Sequence, residues 1–212
     1  MAGTLRDWRR AAAFVLLVLI GASLLAATVA AATYPGGSWI DRTAVGHSLW
    51  ANFLCDIARD VALDGAPHPG ARWGRAAEWG LVLALLLFWQ VTPALHAPRS
   101  ERSPVPLLGG ISTAGLLLVP VTTQAAHVGA LLLGAGPGLV AAGLVLRGLR
   151  ARPALFWLGV VALLLSALEL GLFLAFLLHP FPLAVPAVQR LAVAAAAAWM
   201  ASCAVVVLRD RR

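Results

Sequence analysis

The chain has 212 residues, of which 61% are hydrophobic and 12% charged. An ordinary soluble domain is excluded, since about a quarter of its residues would be charged. The net charge of +7 does not indicate a nucleic-acid partner, because the basic residues, all of them arginine, sit in short clusters between apolar runs and not on one face.

The first cluster is Arg6, Arg9 and Arg10, followed by an uncharged run over 11–33. A basic start, an apolar middle and Ala30-Ala31-Ala32 also fit a signal peptide, but the run exceeds the ~7–15 residues of such a segment. A retained first helix over 11–33 is expected, and after it a polar stretch over 34–78. The apolar run at 79–96 predicts a second helix, with Arg99, Glu101 and Arg102 after it. The run at 105–146 is too long for one membrane crossing of about 20 residues. Arginine clusters flank it on both sides, which demands an even number of crossings. It therefore divides into helices at 105–124 and 128–146, with a turn in the polar patch 122–127. A fifth helix is expected at 154–178, a turn at 179–182, and a sixth helix at 183–208.

This reading gives one all-α membrane domain over 1–212, with six transmembrane helices. Both termini are expected in the cytoplasm and the 34–78 loop outside. Arg6, Arg9, Arg10, Arg99, Arg102, Arg147, Arg150, Arg152, Arg209, Arg211 and Arg212 then lie inside, against Arg42, Arg59, Arg72 and Arg75 outside, as the positive-inside rule requires. Cys55 and Cys203 fall on opposite sides, too far apart for a disulfide, so two free thiols are expected. Gly134, Gly138 and the run 194–198 offer smooth helix faces. Such faces suit close packing within the bundle, with a homodimer as the alternative.

The polar stretch carries the residues that chemistry could use. Tyr34-Pro35-Gly36-Gly37 reads as a turn. Leu49, Trp50, Phe53, Leu54, Ile57 and Val61 recur at helical spacing, with Ser48, Asn52, Asp56, Arg59 and Asp60 on the opposite arc. That pattern predicts a short amphipathic helix over 46–62, lying in the interface or capping the bundle mouth. Residues 64–70, rich in Gly and Pro, then break it.

YPGG, then Asp41, Gly46-His47-Ser48, Asn52-Phe53-Leu54-Cys55-Asp56 and the Gly/Pro-rich break resemble a bacterial multi-spanning family known only as a domain of unknown function. The pattern is loosely similar to DRAM/FRAG-like membrane proteins. The resemblance covers about 40 residues and implies six helices in a bacterial inner membrane, with lipid-related work at the outer leaflet. It supplies no catalytic residues.

Ionisable groups inside a membrane are functional suspects. Glu169 and Arg190 lie at similar depth on the fifth and sixth helices, about 15 Å from the connecting turn, so contact between them is expected. It would be either a register-fixing ion pair or a headgroup or proton site. Asn52, Asp56, Glu78, His127 and His179 gather toward the outer face as candidate binding residues. His47, His127 and His179 are also candidate metal ligands, although no HExxH or close histidine pair is present. Turn-capping histidines are the simpler reading.

Three functions follow. The first is binding or handling of a lipid or small amphiphile at the outer leaflet. The second is a metal-dependent intramembrane hydrolase or transferase using His47, Asp56, His127 and His179. The third is a small transporter with the Glu169/Arg190 pair in its path. The sequence names no cofactor.

Overall fold

The computed structural model describes residues 2–95, 104–178 and 185–209. Six α-helices run in order: α1 (Ala2–Ala32), α2 (Ala71–Val91), α3 (Val105–Leu118), α4 (Gln124–Gly148), α5 (Pro153–Leu178) and α6 (Val185–Arg209). Among the described residues no strand forms, and two isolated bridges, Gly36–Val45 and Val61–Pro67, pin the segment between α1 and α2. Four stretches are long and apolar enough to cross a membrane: Asp7–Ala32, Ala125–Gly148, Pro153–Leu178 and Val185–Arg209.

Several helix boundaries differ from the sequence expectation. α1 already begins at Ala2, because its arginine-rich start continues the helix. α2 begins at Ala71, directly after Pro69-Gly70. Residues 71–78 are mostly good helix formers, so Arg72, Arg75 and Glu78 sit on the helix and not in a loop. α3 ends in a 3-10 turn, Val119–Val121, around Pro120, whose missing N–H cannot continue the ladder. α4 then starts at Gln124, which places His127 on a helix and not in a turn. The expected turn at 179–182 lies outside the described residues, as does His179.

The helices pack as three hairpins, α1 with α2, α3 with α4 and α5 with α6. α1 also meets α6, α2 meets α3, and α4 meets α5. At the end away from the 33–70 segment the core is closed by Leu16, Phe88, Val91, Val145, Leu149 and Cys203, all essentially without solvent exposure. Small residues make this closeness achievable. A side chain at Gly115 would strike the backbone of Gly134, and one at Gly138 would strike Ser112 Oγ. Gly109 and Gly159 seat the indole rings of Trp89 and Trp199. Gly134 and Gly138 of α4 therefore serve packing inside the chain. α5 is different: its fully buried residues, Leu155, Gly159 and Ala162, all lie in its first half.

The segment 33–70 is not the amphipathic helix expected over 46–62. It folds as a compact roof of turns with a single five-residue 3-10 helix, Leu54–Ala58. Leu49, Trp50 and Val61 are exposed, whereas Asn52 and Asp56 are buried. The reason is local. Asn52 Oδ1 accepts from Ser48 N at 2.9 Å, and Asp56 Oδ2 accepts from Phe53 N at 2.8 Å. Side-chain acceptors of this kind replace the backbone ladder and favour turns over helix.

Candidate functional site

The roof is assembled around its buried polar residues. Gly37, at φ 80°, has no space for a side chain, because Leu63 and Asp64 lie where a Cβ would stand. Its carbonyl accepts from Asn52 Nδ2 at 2.9 Å. Asp56 Oδ2 also accepts from Trp39 Nε1 at 3.0 Å. Tyr34 Oη accepts from Leu63 N, and the Tyr34 ring stands edge-on to both His47 and His68.

Four helices hold the roof. From α6, Arg190 Nη1 donates to Asn52 O at 2.7 Å and to Pro186 O at 3.1 Å, while Nη2 faces His47 Nε2 at 3.3 Å. Gln189 Oε1 accepts from Leu54 N at 2.7 Å. From α2, Arg75 Nη1 donates to Ala58 O at 3.0 Å and pairs with Asp60 at 2.9 Å. Gly74 lies directly beneath the Ile57 carbonyl, with no room for a Cβ. On α5, Phe173 and Phe176 stack edge-on with Phe53 and Trp39. On α1, the Ala30 carbonyl lies 3.0 Å from His68 Nε2, while Arg59 O lies 3.2 Å from His68 Nδ1. A neutral imidazole has one N–H, so it can donate to only one of these carbonyls at a time.

Beneath the roof lies a cavity of about 1460 Å³, bounded by α2 to α6, with no lining residue from α1. That exceeds the ~300–1,000 Å³ of typical small-ligand pockets. Asp56, Arg75, Glu78 and His127 border its roofed end, Ser112, Ser166 and Glu169 its middle, and Phe88, Trp89, Trp199 and Met200 its floor. Most of the remaining wall is Leu, Val, Ala and Phe. Two carboxylate oxygens, Asp56 Oδ1 and Glu78 Oε2, are buried without a hydrogen-bond partner among the described residues, as are the indole nitrogens of Trp89 and Trp199.

Electrostatics follow from burial. Asp56 is held above the ordinary carboxylate range by desolvation, which outweighs the bonds from Phe53 and Trp39 that favour its charge. His47 is pushed down to about 4, first by burial and then by the Arg190 charge and His68. Burial likewise raises the Cys55 thiol well above its usual value.

The cavity brings together four of the residues singled out in the sequence: Asp56, Glu78, His127 and Glu169. It leaves out Asn52 and His47, which are in the roof, and Arg190, which reaches the roof from α6. The expected Glu169–Arg190 contact does not form. Among the described residues the one ion pair is Arg75–Asp60. Glu169 lies beside Gln189 instead, because neighbouring helix positions point in directions about 100° apart.

The chain matches no protein-family model, no curated protein and no solved structure.

The candidate metal ligands are also dispersed. His47 is beside a guanidinium, His127 Nδ1 lies against Val119 O at 3.1 Å, and His179 is outside the described residues. Among those residues no three His, Cys, Asp or Glu side chains converge as a ligand set. Sequence reasoning passed over Gln189 and His68, each of which ties the roof to a helix. Gln189 gave no signal in an apolar run, and His68 looked like part of a Gly/Pro break. What the geometry builds is a chamber with an apolar body and a polar, roofed end.

Proposed function

We propose that this chain is a six-span integral membrane protein that binds a lipid or other small amphiphile at the outer leaflet. In this reading all six helices cross the bilayer, both termini are cytoplasmic, and the 33–70 roof faces outward. The roof end carries Arg42, Arg59, Arg72, Arg75 and, from α6, Arg190, whereas Arg9, Arg10, Arg147, Arg150, Arg152 and Arg209 lie at the other, an excess in the direction of the positive-inside rule.

The observation that carries the reading is the cavity. An apolar chamber of about 1460 Å³ with charged groups at one end has the polarity of an amphiphile, tail inward and head under the roof. The outer half of α5, past Ala162, has no fully buried residue, so its cavity-facing side is free to pack against a bound chain. Native mass spectrometry of protein extracted in mild detergent tests this. One retained amphiphile per chain is expected, and protein that is bare in every mild extraction contradicts it.

A further inference from the structure

The polar end of the cavity is acidic in a specific way. Asp56 is only 1% exposed, lines the cavity, and keeps Oδ1 without a partner among the described residues. Glu78 lines the same end, is close enough to interact electrostatically with Asp56, and also keeps a buried oxygen, Oε2, unpartnered. Glu169, on α5, is also in the lining. Nearby cations are largely committed elsewhere. Arg75 is engaged by Asp60 and Ala58 O. Arg190 donates to Asn52 O and Pro186 O and is absent from the lining. Arg59 is exposed, and with Arg75 it also lines this end, acting on Asp56 as Arg75 acts on Glu78. Aromatic rings border the acids, since Phe176 packs on Trp39, whose indole donates to Asp56.

Buried acceptors without donors are costly to leave unpaired. A group that brings several N–H donors and a positive charge suits such acids, and an ammonium has three such donors. Aromatic faces beside it add cation–π attraction. Resting on the amphiphile reading above, we propose that the cavity selects amphiphiles with a cationic, ammonium-type headgroup, seated beside Asp56 and Glu78, with Glu169 as a further acid in the lining. Burial disfavours the charged form of Asp56, a cost that a cationic head offsets and an anionic head does not, so the anionic head binds poorly.

The test uses the full chain in maltoside detergent near neutral pH. Binding of dodecylammonium, dodecanol and dodecyl sulfate is compared by native mass spectrometry and thermal shift. Dodecylammonium should bind about tenfold tighter than dodecanol, the scale of a charge-assisted hydrogen bond, with dodecyl sulfate weakest. In Glu78→Gln the ammonium-to-dodecanol ratio should fall toward one. Glu169→Gln, a separate lining acid, should lower the ratio in the same direction and serves as the readout if the first variant folds poorly. Equal binding of all three heads by the wild type, or a ratio unchanged in both variants, overturns the headgroup proposal and leaves the amphiphile reading standing. Binding of none of the three overturns both.

Discussion

Gln189 and Arg190 are adjacent in sequence and serve different partners. Gln189 links the roof, through Leu54 N at 2.7 Å, to Glu169 in the cavity wall. Arg190 holds Asn52 O and faces His47. A double-mutant cycle reads this directly. Glu169→Ala with Gln189→Ala should show a coupling of about 0.5–1 kcal/mol, as neighbouring polar side chains do. Glu169→Ala with Arg190→Ala should be additive within about 0.5 kcal/mol. Coupling in the second pair larger than in the first contradicts the structure. His47 supplies a pH prediction. Its value of about 4 in the fold lies below the ordinary 6.5, so folding disfavours its protonated form. Its stabilising contribution is complete above about 6.5 and is lost as pH falls through about 4. Asp56, raised by burial, acts with the opposite sign, so the informative quantity is a difference. The stability of wild type minus that of His47→Asn should fall on acidification across this window. A flat difference contradicts the burial of His47 beside Arg190.

At the scale of elements, the roof shows where sequence patterning fails. The recurrence of Leu49, Phe53 and Ile57 is real, and Phe53 and Ile57 are buried. The same spacing, however, also brings Asn52 and Asp56 into reach of the backbone, and their side-chain bonds to Ser48 N, Gly37 O and Phe53 N convert a helix pattern into turns. Periodicity found only Phe53 and Ile57 of what is buried and placed Asn52 and Asp56 on the wrong side; it cannot report a competing hydrogen bond to Gly37, fifteen residues away. Cys55 probes the roof. It is partly buried against the cavity, and burial keeps its thiol protonated. In a Cys203→Ser background it should react with a membrane-impermeant maleimide far more slowly than a cysteine placed at Val45, which is 97% exposed. Arg190→Gln should speed the Cys55 reaction by loosening the roof. Equal rates at 55 and 45 in the unaltered roof contradict its closure.

Across the whole molecule, the all-helical fold and the number of helices were legible because apolar runs and arginine clusters are local signals. The free state of Cys55 and Cys203 followed from the same topology. The cavity was not legible. It depends on which faces of α2 to α6 turn inward, and helices that are apolar all round carry little directional signal. Glu169 could be flagged from the run it interrupts, but its partner Gln189 could not. Topology is tested by reporter fusions at the C-terminus. A cytoplasmic reporter should be active there and a periplasmic one silent, and the reverse pattern removes the six-span reading.

The central claim is that an amphiphile occupies the chamber beneath the roof, and filling that chamber tests it most directly. Ser166 lines the cavity, whereas Val161 on the same helix is 48% exposed on its outer side. Ser166→Trp and Val161→Trp add similar bulk to opposite faces of α5. Native mass spectrometry of both variants and the wild type, extracted identically, should show a retained amphiphile in wild type and Val161→Trp and its loss from Ser166→Trp. Thermal stability of Ser166→Trp measured in parallel should remain near wild type, because the ring enters open space. Equal retention in all three proteins would place any bound lipid outside the cavity and contradict the account.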